Sequence, residues 1–281
     1  MRKRNKILAC ALAAAIFIAT GVGAKVMATS ETGDSTKQTD TKTTKLTKTQ
    51  EESLKKIKAA YDVKNQDKIA EELEEKKSSQ EYTLSNMLIE YNPFGTNTQS
   101  LYVYFNTDEP VSVAYTVHAE DTKIQDFNRT VYQEETYQKE HEFQVIGLIP
   151  DMENKVTFFL TEEDGSTDTK EIVFEMGSLI GTEDVQLDTD VAGDASQLED
   201  GLYVVLGNDS TALDFMYYYD NNGTLRGEVP LLGYRSHRLI FDKDSMYYSI
   251  SETKMAQVSR TGQVTNVFDL GDYEVHHDYV F

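Results

Sequence analysis

Two stretches, FMYYYDNNGTLRGEVPL at 215–231 and KMAQVSRTGQVTNVFDL at 254–270, read alike: strand, polar turn closing on glycine, strand. Their turn glycines, Gly223 and Gly262, lie 39 residues apart, and so do His237 of SHRLIF and His276 of HHDYVF. Two markers with one spacing predict a repeat of about 40 residues, the size of a four-stranded propeller blade. One or two blades fit between residue 200 and Phe281, which falls inside a predicted strand. Blades bury their faces against neighbours, so the expectation is an incomplete propeller at 179–281 and a chain that is the front portion of a longer protein.

Upstream of this region lies an acidic, weakly patterned linker after Gly177. Before it, residues 81–178 alternate with a period of two. SLYVYFNTDEPVSVAYTV predicts two strands about a turn at Asp108-Glu109-Pro110. KEHEFQVIGLIP adds another, and KVTFFLTEEDGSTDTKEIVFEM predicts a hairpin around Gly165. Several short strands with Pro93, Pro110 and Pro150 between them predict an immunoglobulin-like β-sandwich, so the whole reads as all-β.

The N-terminal 80 residues differ. A basic start and an apolar run from Ile7 to Ala24 precede VMA at 26–28, which predicts a signal peptide or N-terminal membrane anchor at 1–28. The chain is therefore expected to be exported, extracellular or tethered at the cell surface. Residues 29–80 divide into a Thr/Lys-rich stretch at 29–50, predicted to be a disordered tether, and a charged helix or helical hairpin at 51–79. Leu54, Ile57 and Tyr61, then Ile69 and Leu73, recur at helical spacing on a narrow stripe, which predicts a solvated spacer.

Composition excludes several roles. The formal net charge is −21, and beyond residue 28 there are 22 basic against 48 acidic residues, a net of −26. Such a chain repels phosphate, so no nucleic-acid partner is expected. The one cysteine, Cys10, sits in the apolar leader, which rules out an intrachain disulfide and a thiolate metal site. No phosphate-cradling loop, nucleophile elbow or zinc spacing occurs, and no cofactor or metal is expected.

Histidine carries what chemical signal there is. His118 and His141 in the sandwich read as structural or surface groups. His237 precedes the apolar run Leu239-Ile240-Phe241 at a predicted strand end and is a candidate site residue. His276 and His277, followed by Asp278, are the leading candidates. An imidazole held by a carboxylate serves as a base, a nucleophile or an anion-stabilising donor. Strand alternation sends the two rings to opposite faces, so one of the pair is expected at a site. The competing reading is a His-Asp pair that only satisfies backbone groups between blades. Tyr217-Tyr218-Tyr219 and Tyr247-Tyr248 read as packing rather than a ligand platform.

YNPFGTNTQSLYVYFNTDEPVSVAYTV, HEFQVIGLIPDMENKVTFFL, SHRLIF and HHDYVF, in this order over about 82–281, resemble bacterial aryl-sulfate sulfotransferases. The resemblance implies a β-sandwich followed by a six-bladed propeller. It implies sulfuryl transfer from a phenolic sulfate ester to an acceptor phenol through a sulfated histidine, without a nucleotide donor. It places His276 or His277 in a supporting role, with the sulfated histidine beyond Phe281, so that the chain alone is expected to be inactive. The extra segment at 29–79 departs from the family. The alternative reading is an exported, surface-tethered binding protein without catalysis.

Overall fold

The structure, a computed structural model, describes residues 46–281 except 133–135, 189–192, 194–196, 200, 208–212, 277 and 281. The predicted leader at 1–28, the tether up to residue 45 and His277 lie outside the described residues. Those described form two helices and thirteen strands.

The charged segment folds as a helical hairpin, α1 (Lys48–Ala60) and α2 (Val63–Ser79). Thr47 and Gln50 cap α1 reciprocally: the Thr47 hydroxyl accepts from the Gln50 amide, and the Gln50 side chain accepts from the Thr47 amide. Asp62 caps α2 by accepting from the Lys64 and Asn65 amides. The tether reading is therefore corrected at its C-terminal end, since residues 48–50 already belong to α1. The solvated spacer is corrected too. Ile57, Tyr61 and Leu73 are buried, and the Tyr61 hydroxyl donates to the Pro230 carbonyl at 2.6 Å.

Six strands follow: β1 (Leu88–Tyr91), β2 (Ser100–Ala119), β3 (Phe127–Thr130), β4 (Gln138–Ile146), β5 (Met152–Glu162) and β6 (Thr167–Met176). The predicted turn at 108–110 is instead the middle of one 20-residue strand. The N-terminal part of β2 pairs with β1 and β4, and its C-terminal part pairs with β3 and β5, so the two sheets of the expected sandwich are joined through β2 into one six-stranded sheet. The change occurs at a register shift between Asn106 and Val111, where the missing N–H of Pro110 costs no ladder bond. Inward residues of both parts, among them Val103, Phe105, Val117, Val145 and Phe158, share one core. The predicted hairpin is present, with Gly165 at φ 87° between β5 and β6.

Beyond the linker are two antiparallel sheets. β7 (Tyr203–Val205), β8 (Asp214–Tyr219) and β9 (Leu225–Leu231) form one. β10 (Leu239–Asp242), β11 (Ser245–Ser249), β12 (Lys254–Ser259) and β13 (Val264–Asp269) form the other. The 39-residue spacing recurs in their geometry. Gly223 and Gly262 both have positive φ, 74° and 94°. Register shifts fall at Tyr218/Tyr219 in one sheet and Gln257/Val258 in the other. Asp220 and Ser259 close the two turns equivalently: the carboxylate accepts from the Thr224 amide and the hydroxyl from the Gln263 amide. Tyr217, Tyr218, Tyr219 and Tyr248 are core residues, as packing required.

The loops on both sides of β2's start and β4's end join the sandwich to these turns. Thr96, the residue after NPFG (92–95), donates to the Gly262 carbonyl at 2.6 Å, and Gln99 donates to the Leu148 and Leu225 carbonyls. Arg226 and Glu228, both fully buried, face the same junction. Arg226 pairs with Asp220 at 2.8 Å and donates to the carbonyls of Gln125 and Gly147, with its guanidinium 4.9 Å from the Phe127 ring. Glu228 accepts from the Thr98 hydroxyl and from the amides of Ile180 and Gly181. Each buried charge is thus met by partners from outside its own strand.

Candidate functional site

The repeat places His237 and His276 at matching points, each just after the outer strand of a sheet. The preceding residue docks in a similar way. The Ser236 amide donates to the Leu206 carbonyl at 2.7 Å, and the Val275 amide to the Glu252 carbonyl at 2.6 Å. Each contact returns the chain toward the loop that follows β7 or β11. Symmetry of the backbone, rather than a strand start, sets the two histidines.

His237 is half-buried in the segment leading into β10. Its amide donates to the Ser249 hydroxyl at 3.1 Å, and its ring lies 5.5 Å from that of Tyr234. His276 is exposed. The described residues from 273 to 280 form no strand, so alternation does not decide which way each ring of the pair points, and the expected strand opening at HHDYVF is corrected. Asp278 pairs with Arg238, a partner not anticipated from the sequence. That guanidinium holds the Asp278 carboxyl below the usual carboxylate range, with the neighbouring Tyr279 amide adding to the effect.

Tyr279 completes a strap. Its hydroxyl donates to the Arg238 carbonyl and accepts from the Ser249 amide at 3.1 Å, and burial pushes its pKa up. Arg238 therefore holds the 278–279 segment through both its side chain and its backbone. The structure brings His237, Arg238, Ser249, Asp278 and Tyr279 into one hydrogen-bonded neighbourhood that carries His276 at its edge. Its imidazoles are the donors suited to an anion, since the single proton of the Tyr279 hydroxyl is given to the Arg238 carbonyl and the Arg238 guanidinium is paired with Asp278. Arg235 flanks His237, with its guanidinium 5.9 Å from the Tyr234 ring.

The other histidines and a buried acid lie elsewhere. His141 is buried against Phe105, ring centroids 4.8 Å apart, and burial lowers its pKa to about 4. His118 pairs with Asp126 at 2.6 Å on the sandwich surface. Burial raises the Glu228 pKa, but its acceptor oxygens are occupied at the junction, which makes it a structural acid. Among the described residues no cluster of His, Cys, Asp and Glu is arranged to hold a metal, and no helix is long and apolar enough to cross a membrane.

Sequence reasoning placed Arg235 and Arg238 beside His237 as groups that attract an anion, but it missed the pairing of Arg238 with Asp278, and it missed Tyr279. The signal available was only that SHR and HHD stand one repeat apart, which brings position 238 near 278 if consecutive units sit side by side.

No curated protein matches the chain. Two family models do. Residues 88–177 match the arylsulfotransferase Ig-like domain, and residues 188–281 match arylsulfotransferase (ASST). The first match covers β1 to β6, and the second covers both glycine-turn sheets together with His237 and His276. The two follow one another in the order sandwich then repeat and together span about two thirds of the sequence, and on this basis the chain belongs to the arylsulfotransferase family.

Proposed function

We propose that this chain is part of an exported aryl-sulfate sulfotransferase. It moves a sulfuryl group from a phenolic sulfate ester to an acceptor phenol. The observation that carries the reading is the family match over 188–281 together with two histidines at matching points of a 39-residue repeat. In this reading the glycine-turn sheets are the first blades of a six-bladed propeller, and His276 or His277 faces its axis. The nucleophilic histidine that becomes sulfated is supplied by residues beyond these 281, so the chain is inactive by itself. The N-terminal apolar run directs export and either is cleaved or tethers the protein to the membrane.

The chemistry asks for such a site. An imidazole nitrogen attacks sulfur, the S–O bond to the aryl group breaks, and a phenolate leaves. Negative charge grows on the leaving oxygen and on the sulfuryl oxygens, so imidazole and guanidinium donors converging there lower the barrier. The second phenol then takes the sulfuryl group and gives up its proton. His276 or His277 would stabilise the sulfuryl oxygens, with Arg238 and Tyr279 holding their segment in place.

Transfer from 4-nitrophenyl sulfate to phenol tests this. The 281-residue chain should release no 4-nitrophenol above background. The product of the gene read through downstream coding sequence should be active, and losing the site-facing histidine of the pair should lower its kcat by on the order of a hundredfold, the scale of one transition-state donor. Full activity with both histidines replaced by alanine would refute the assignment.

A further inference from the structure

A cavity of about 350 Å³ lies where the sandwich meets the two glycine-turn sheets. Val204 and Val229 wall it from one sheet, Met246 and Val258 from the other, and Gln144 from the sandwich. Neither His237 nor His276 lines it. Its size is within the range of small-molecule sites, and its lining has the usual character of such sites, mostly apolar with a few polar groups.

The mouth has its own chemistry. Phe241, 71 % exposed, stands at the lip. Beside it are Lys243, Asp244 and Arg260, and the Arg260 Nε donates to Asp244 at 2.7 Å. That pair is neutral as a unit, while Lys243 has no ion-pair partner among the described residues. Lys243 is therefore the one cation lining the mouth without an ion-pair partner, on a protein whose overall charge is −21; the exposed Asp242 beside it does not line the cavity. Lys243 is one of the two loop residues between β10 and β11 and has φ 52°, a conformation that asparagine or glycine adopts more readily.

We infer that this cavity binds a small organic anion, with an apolar body of about naphthalene size inside and its single anionic group on Lys243. The apolar walls favour burial of the body, and the ammonium selects the charge against a surface that otherwise repels anions. The site is independent of the sulfotransfer reading, because none of its residues belongs to the histidine neighbourhood.

Isothermal titration of the 281-residue chain with naphthalene-2-sulfonate and, in a second arm, octyl sulfate tests the inference and separates aromatic from aliphatic bodies. At least one of the two should bind with one-to-one stoichiometry, weaken with added salt, and bind at least tenfold more tightly than uncharged 2-naphthol. Lys243→Glu, on an exposed loop, should weaken it at least tenfold with the thermal midpoint unchanged. Met246→Trp should fill the cavity and abolish binding; if that variant does not fold, ligand-induced shifts of the Met246 methyl resonance in the parent chain replace it as the readout. Absence of saturable binding of both probes at millimolar concentration, unchanged affinity in Lys243→Glu, or equal affinity for 2-naphthol would overturn it.

Discussion

In the sandwich, one strand supplies both parts of the core. β2 places Val103 and Phe105 before its register shift, and Val113 and Val117 after it, around the same interior. The glycine-turn sheets are built otherwise. Their core includes Tyr248, Ile250 and Val264 but also Ile57 and Tyr61 of the helical hairpin, and their turns are held by loops of the sandwich. The first region builds its interior from its own strands, with the helical hairpin packed on its outer face, whereas the second shares its core with residues more than a hundred positions away. Apolar groups left outside tell the same story, with Phe241 71 % and Tyr273 79 % exposed in the repeat region. A repeat unit has two faces to cover, and a single antiparallel sheet covers neither alone.

Breaking the borrowed contacts should therefore damage the second region most. Arg226→Met removes the guanidinium and leaves Asp220 buried without its cation. Uncompensated burial of that kind costs about 3–5 kcal/mol, so chemical denaturation should show a loss of that order. Replacing the exposed His118, whose partner is also exposed, should change stability by less than about 0.5 kcal/mol.

Leu73→Ala comes next. Leu73 packs with Tyr102 and Tyr104 on the outer face of β2, so truncation should cost about 2–4 kcal/mol. A solvated spacer would show no change in the thermal midpoint.

The smallest effect separates the regions by pH. His141 in the sandwich has its folded pKa lowered to about 4, below the unfolded value of 6.5. Between these values the unfolded chain takes the proton first. Stability is lost as pH falls through that window, by roughly 3 kcal/mol once complete. Glu228 at the junction has the opposite sign. Its folded pKa is raised, so it costs nothing below the unfolded carboxylate range and removes stability as pH rises through its folded value. Melting curves from pH 4 to 7 should show the acid slope flattened in His141→Phe, relative to the parent chain. An unaltered slope would mean that the imidazole is not buried neutral.

Much of the sandwich was legible because a half-buried strand has a period of two, and the β5–β6 hairpin lies where Asp164-Gly165 put it. The long β2 was misread at Pro110. Proline marks a turn or a bulge equally well, and only the partners on either side distinguish them. The helical hairpin's periodicity was visible, and T-x-x-Q at 47–50 also announced its start, a capping box that the tether composition obscured. Burial was not visible, because a narrow apolar stripe says nothing about what meets it.

The candidate site divides similarly. The spacing of His237 and His276 was in the sequence. The strap through Arg238, Asp278 and Tyr279 was not, since it joins residues some 40 positions apart by contacts that leave no periodic trace.

The sequence alone determined the helical periodicity, the β5–β6 hairpin and the repeat, because turn glycines, caps and side-chain alternation act over a few residues. Only the tertiary structure decided which faces those elements cover. Buried partners such as Arg226 with Gly147, or Tyr61 with Pro230, are chosen by whatever surface the rest of the chain brings within hydrogen-bonding distance.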